Sequence, residues 1–227
     1  MWDDLRANVR EIDGRIEEAC RRSGRRRQEV TLVAISKTFP ATAVDAAIAA
    51  GITDVGENRV QEFREKLESI QSRGRWHLVG HLQSNKVRGA VEIFDVIQSV
   101  DSLDLAQRIS RIAVQEGRRP DVLLQVNIGM EPQKSGVSPD AAIEVAEELL
   151  GLEGITVRGM MCIPPVADAQ EVRRYFAAMR EVWEKTRSRG LIREPVLSMG
   201  MSDDFEIAVE EGSTMVRIGR AIFGRRE

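Results

Sequence analysis

Apolar positions along the chain alternate between two patterns, stripes with the period of a helix and short unbroken runs. Leu5, Val9, Ile12, Ile16 and Cys20 recur at steps of three and four, which predicts an amphipathic helix. The arginines from Arg21 to Arg27 read as its solvated end, because cations there complement the helix dipole. Next, the β-branched and aliphatic run from Val30 predicts a buried strand ending at Lys37, with Pro40 beyond. Further strands are predicted at Thr53–Val55, Trp76–Gly80, Val96–Val100, Val122–Ile128, Thr156–Ile163, Pro195–Met199 and Met215–Ile218. Helical stretches separate them: Ala41–Ala50 closed by Gly51, Arg59–Ile70, Asn85–Ile93, a segment capped by Asp101 or Ser102, Ala141–Leu150, a segment spanning Val172 to Trp183, and Phe205–Glu210. The stripe of Tyr175, Phe176, Met179 and Trp183 reads as core, and a short turn at Ala221–Phe223 ends the pattern.

Eight strands, each followed by something helical, predict an α/β fold of one domain over residues 1–227: a (β/α)8 TIM barrel with an extra N-terminal helix across one end. A doubly wound sheet is the competing architecture. No GxGxxG follows any strand, and residues 51–58 lack the Lys-Ser/Thr of a P-loop, so neither nucleotide fingerprint applies.

Composition narrows the classes. Hydrophobic content of 42% and charged content of 30% suit a soluble globular protein, and a net charge of −3 argues against general nucleic-acid binding. There is no signal-peptide pattern at the start and no apolar run long enough to span a bilayer, so a cytoplasmic location without membrane association is expected. Cys20 and Cys162 lie far apart without CxxC spacing, which argues against a disulfide framework or a metal site.

A barrel gathers the residues just past its strands at one mouth, here Lys37, Asn58, His81, Asn127, Ser198 and Arg217. Partial burial of Lys37 would favour its neutral amine, which can attack an aldehyde. Across the mouth, Ser198-Met199-Gly200-Met201-Ser202 and Gly219-Arg220 offer hydroxyl and backbone N–H groups to an anion. Those two grips suit pyridoxal 5′-phosphate, and a sugar-phosphate aldolase would share both. Arg217 separates the two: a guanidinium can only donate, so it would leave a pyridine nitrogen unprotonated and the ring a weak electron sink. An arginine paired with an acid inside the barrel is the alternative. His77 reads as structural. His81 could be an acid or base or could shape the mouth, and Lys86 and Lys134 read as solvent-side residues.

Several blocks then carry a resemblance that covers nearly the whole chain. Ile35-Ser36-Lys37-Thr38, Gly56-Glu57-Asn58 with Val60-Gln61-Glu62, Gly80-His81-Leu82-Gln83-Ser84-Asn85-Lys86, Lys134-Ser135-Gly136, Leu197 through Asp204, and Met215 through Gly219 resemble the YggS/PROSC family of pyridoxal phosphate homeostasis proteins. The resemblance implies a barrel like the N-terminal domain of bacterial alanine racemase, with Lys37 bearing the cofactor by a Schiff base. It places Arg217 at the pyridine nitrogen, Asn58 near the ring, and Ser198, Gly219 and residue 220 at the phosphate. The expected cofactor-binding set is Lys37, Asn58, His81, Ser198, Met199, Arg217, Gly219 and Arg220. Arg59 and Arg220 depart from the family, which often has Tyr and Thr there. The expected function is that of a monomeric carrier or buffer of pyridoxal phosphate without catalytic turnover, with apo forms of enzymes that use the cofactor as candidate recipients. A weak amino-acid racemase is the alternative. Racemisation needs a proton donor on each face of the cofactor, and the only tyrosine, Tyr175, is predicted on a helix.

Overall fold

Eight parallel strands close into a barrel in sequence order, β1 through β8, in the computed structural model, which describes residues 4–192 and 195–224. The strands are β1 (Thr31–Ile35), β2 (Asp54–Glu57), β3 (Arg75–Leu78), β4 (Val96–Val100), β5 (Asp121–Val126), β6 (Thr156–Cys162), β7 (Val196–Ser198) and β8 (Met215–Ile218). Around them run α1 (Leu5–Arg22), α2 (Ala41–Ala49), α3 (Val60–Leu67), α4 (Val87–Ile93), α5 (Leu103–Gln115), α6 (Ala142–Leu150), α7 (Ala169–Ser188), α8 (Phe205–Glu210) and α9 (Arg220–Phe223). This is the predicted (β/α)8 architecture. Ser102 caps α5 by accepting from the Leu105 N–H at 3.3 Å, and Gly51 follows α2 at φ 102°.

Alternation along each strand separates two cores. Val33, Ile35, Leu123, Met161 and Met215 point into the barrel and pack on one another. Their neighbours Leu32, Ala34, Val216 and Ile218 point outward beneath the helices.

The first helix lies elsewhere than expected. Rather than crossing an end, α1 packs in the outer ring against α2, α8 and α9. Helices α8 and α9 span only 6 and 4 residues, too short to cover the outer faces of β8 and β1. Helix α1 supplies the missing cover with Leu5, Ile12 and Ile16, each of whose burial contributes about 1.5–3 kcal/mol. Its arginine-rich end is tied down: Arg22 pairs with Glu210 at 2.7 Å, Arg27 with Asp13 at 2.7 Å, and Arg25 donates to the carbonyls of Val209 and Ser213. Among the described residues no helix is long and apolar enough to cross a membrane.

Candidate functional site

A cavity of about 270 Å3 opens where β1, β2 and β8 end. Alternation explains its lining. Val33 and Ile35 face inward on β1, so the next inward position is Lys37, and the same parity brings Asn58 up from Gly56 and Gly219 up from Arg217. Register keeps these positions together, because Ile35 pairs with Gly56 and Ala34 with Ile218 on the adjoining strands. Lys37, Asn58, Arg217, Gly219 and Arg220 therefore line one cavity, with Ile35, Val79 and Ile163 as apolar walls. Lys37 is half-buried and sits in the turn after β1, next to Thr38, whose φ is 70°.

Arg217 forms the floor and is only 4% exposed. Its Nη1 donates to Ser198 Oγ at 2.7 Å and its Nη2 to the Cys162 carbonyl at 2.9 Å. A hydrogen-bonded chain continues downward through the barrel. Ser198 donates to Gln98 Oε1 at 2.7 Å, Gln98 Nε2 lies 2.9 Å from His77 Nδ1, and His77 Nε2 lies 2.8 Å from Asp54 Oδ1. The Gln98 amide donates, so His77 Nδ1 accepts and its Nε2–H donates to the Asp54 carboxylate. Burial pushes the His77 pKa down, consistent with this neutral tautomer. Burial pulls Asp54 upward, but the hydrogen bonds from His77 and Thr53 outweigh it and leave the pKa low. Every donor thus points from the cation above toward the anion below. Burial lowers the Arg217 pKa, yet a guanidinium starts far enough above neutrality to remain a cation and a pure donor. The Cys162 thiol, pushed up to about 12 by full burial, is neutral and inert.

The loop after β7 is shaped by Gly200 and Asp204. Gly200 sits at φ 96°, and a Cβ there would lie 2.6 Å from the Ala208 Cβ, so both backbone and space require glycine. Asp204 accepts from the Met201 N–H at 2.6 Å and folds the loop back over the rim. Ser198 and Met199 lie elsewhere than the anion grip expected of them. Both are fully buried: the Ser198 hydroxyl is engaged by Arg217 and Gln98, and the Met199 N–H donates to the Met215 carbonyl at 3.1 Å. Ser198 pairs with Met215 at the level beneath Arg217, so it is too deep to reach the mouth. The serine that lines the cavity is Ser202. Arg220, for its part, pairs with Asp203 along the rim, and both side chains are largely exposed.

His81 is not part of this cavity. It projects into solvent on the rim, with Nδ1 3.1 Å from Asp101 and 3.2 Å from Ser135, and lines an adjoining groove. Asn127 ties the loop after β5 to itself by donating to the Glu131 carbonyl at 2.8 Å. Lys134 donates to the Pro164 carbonyl at 3.0 Å, and Lys86 lines a second groove beside Arg59. Sequence reasoning missed Phe39, Val79, Ile163 and Asp203 as lining residues. Only Val79 and Ile163 carried a usable signal, since each falls on the inward parity of its strand.

The donor set suits a small phosphorylated aromatic aldehyde. There is an amine on one wall, a permanent donor on the floor, a hydroxyl and glycine-bearing loops on the far wall, and apolar sides for a ring. A cavity of about 270 Å3 sits near the lower limit for ligand pockets, a size that suits a small molecule.

Known proteins place the chain among relatives of similar design. Residues 3–227 match the family described as alanine racemase, N-terminal domain. The pyridoxal phosphate homeostasis protein of Aquifex aeolicus (strain VF5) is 40% identical over 215 residues, 94% of each chain. That of Escherichia coli (strain K12) is 41% identical over 233 residues, covering 99% of this chain and 98% of that one. PipY of Synechococcus elongatus PCC7942, solved with PLP bound, superposes with a TM-score of 0.81 at 40% identity, covering 92% of this chain and 100% of that one. Alanine racemase of Clostridium difficile 630, at 20% identity and a TM-score of 0.74, shares the fold. The chain belongs to the pyridoxal phosphate homeostasis protein family, built on the alanine racemase N-terminal domain.

Proposed function

We propose that this protein binds pyridoxal 5′-phosphate in the cavity at the ends of β1, β2 and β8 and serves as an intracellular carrier or buffer of it, without turning over a substrate. The observation that carries this reading is the convergence of Lys37 and Arg217 on one small cavity. Lys37 supplies the amine for a Schiff-base linkage, and the bound cofactor would supply a reactive aldehyde carbon there. Arg217, locked by Ser198 and Cys162, would offer its remaining N–H groups to the ring nitrogen and add no proton to it. Ser202 and the backbone after β8 would hold the phosphate, and Asn58 would flank the ring. Arg220 can leave Asp203 for that phosphate, because an exposed pair holds weakly.

Racemisation would require a second proton donor on the opposite face of the ring. Tyr175 packs against the outer core from α7, remote from the mouth. The test is to load the purified protein with pyridoxal phosphate, record its visible absorbance, and incubate it with single enantiomers of amino acids. Wild type is expected to show the band of the lysine-linked cofactor, to lose it in Lys37→Ala, and to leave each enantiomer unchanged. Steady racemisation, or an unchanged band in Lys37→Ala, would overturn the reading.

A further inference from the structure

Behind the barrel wall, on the side away from the cavity, lies a buried charged cluster that the cofactor site does not use. Glu57 on β2 is fully buried, and the Lys66 side chain on α3 is 7% exposed. The two form a close ion pair, and Lys66 Nζ also lies 3.8 Å from Glu62 Oε1. Burial raises the Glu57 pKa against the opposing pull of Lys66, and one of its carboxylate oxygens has no hydrogen-bond partner among the described residues. A buried pair of this kind is poor evidence for stability alone.

Its contacts converge on the turn that carries Lys37. Ser36 Oγ donates to Glu57 Oε1 at 2.7 Å, and Lys66 Nζ donates to the Ser36 carbonyl at 2.9 Å. On the other side of Lys37, the Thr38 N–H donates to Glu62 Oε1 at 2.6 Å. Thr38 needs that hold. It is β-branched and sits at φ 70°, where such residues are genuine outliers that persist only when surroundings impose them. The arrangement also couples two cavity residues, since Ser36 and Glu57 immediately precede Lys37 and Asn58.

We propose that Glu57, Glu62 and Lys66 are positioning residues that hold the Lys37 turn so that its amine meets the aldehyde of the bound cofactor. They act through the backbone on either side of Lys37 and touch no ligand. The inference rests on the cofactor reading above. The step they govern is the condensation of the Lys37 amine with the aldehyde, which forms one C=N bond, releases one water and needs no co-reactant.

Two measurements separate positioning from plain structure. Capture is followed as the rate at which pyridoxal phosphate becomes borohydride-fixed on Lys37, by mass spectrometry. Pocket integrity is followed as the calorimetric affinity for pyridoxine 5′-phosphate, which lacks the aldehyde. Glu62→Ala, at a partly exposed position, removes the acceptor of the Thr38 N–H and is expected to slow capture about tenfold while affinity for the alcohol stays within about twofold. Thr38→Gly in the Glu62→Ala background should restore capture, because glycine adopts a positive φ without help. Glu57→Gln/Lys66→Met, which removes both buried charges together, should also slow capture. If that pair unfolds on heating below wild type, Glu62→Ala and its glycine rescue still decide. Wild-type capture in Glu62→Ala, a parallel loss of alcohol affinity, or failure of the glycine rescue would overturn the proposal. Wild type that is never fixed at Lys37 would overturn the cofactor reading and this inference with it.

Discussion

The two sides of the mouth are fixed from opposite directions. Arg217 is held from within the barrel by a chain of neutral dipoles running through Ser198, Gln98 and His77 to Asp54. The turn carrying Lys37 is held from outside, by charges on α3 and β2 that bind its flanking backbone. The difference follows from what each group has to do. A guanidinium never changes protonation state, so part of its head can be locked by Ser198 and Cys162 while the rest lines the cavity. The Lys37 amine has to form and release a covalent bond, and the contacts from α3 and β2 act on the residues either side of it.

Substitutions on the inner side should damage folding and binding while sparing Lys37. The largest effect is expected from Gln98→Leu, which strips partners from both Ser198 and His77 deep in the barrel. We predict a loss of about 2–5 kcal/mol in denaturant unfolding, with the folded fraction still fixed by pyridoxal phosphate at Lys37. Arg217→Met removes a charged donor from the floor. Pyridoxine phosphate should then bind about 1.5–3 kcal/mol more weakly by calorimetry, whereas Glu62→Ala on the outer side leaves that affinity nearly unchanged. A smaller effect comes from His77. Its folded pKa lies below the usual 6.5, so the unfolded chain takes up the proton first. The stability it contributes is complete above 6.5 and declines as pH falls below that value toward the folded pKa, at up to about 1.4 kcal/mol per pH unit. Thermal unfolding against pH should show that slope in wild type and a flatter one in His77→Gln. Smallest of all, Asp203→Ala breaks an exposed pair with Arg220 and should move unfolding by less than about 0.5 kcal/mol.

Much of this architecture was legible in the sequence because parallel strands buried on both faces read as unbroken apolar runs. Lys37, Asn58, Arg217 and Gly219 could be placed at one mouth by parity alone. Height within the barrel could not be read that way. Ser198 shares the inward face with Arg217 but lies at the level of Met215, because strand stagger is a property of pairing between distant segments. His81 comes three residues after β3 ends at Leu78, where the chain has already passed over the rim. The amphipathic stripe of α1 showed that a face is buried without showing what buries it. Glu57 and Glu62 stand in blocks that carry the resemblance, yet neither they nor Lys66 could be given a role, for a different reason. Charges beside a strand ordinarily read as surface, and only tertiary packing reveals that they enclose the Lys37 turn.

The most direct test of the central claim is peptide mapping of the wild-type protein after incubation with pyridoxal phosphate and borohydride reduction. The account predicts one dominant modified residue, Lys37, whose labelling is blocked by excess pyridoxine phosphate. Labelling spread over Lys86 and Lys134, or labelling of Lys37 that the competitor leaves unchanged, would contradict it.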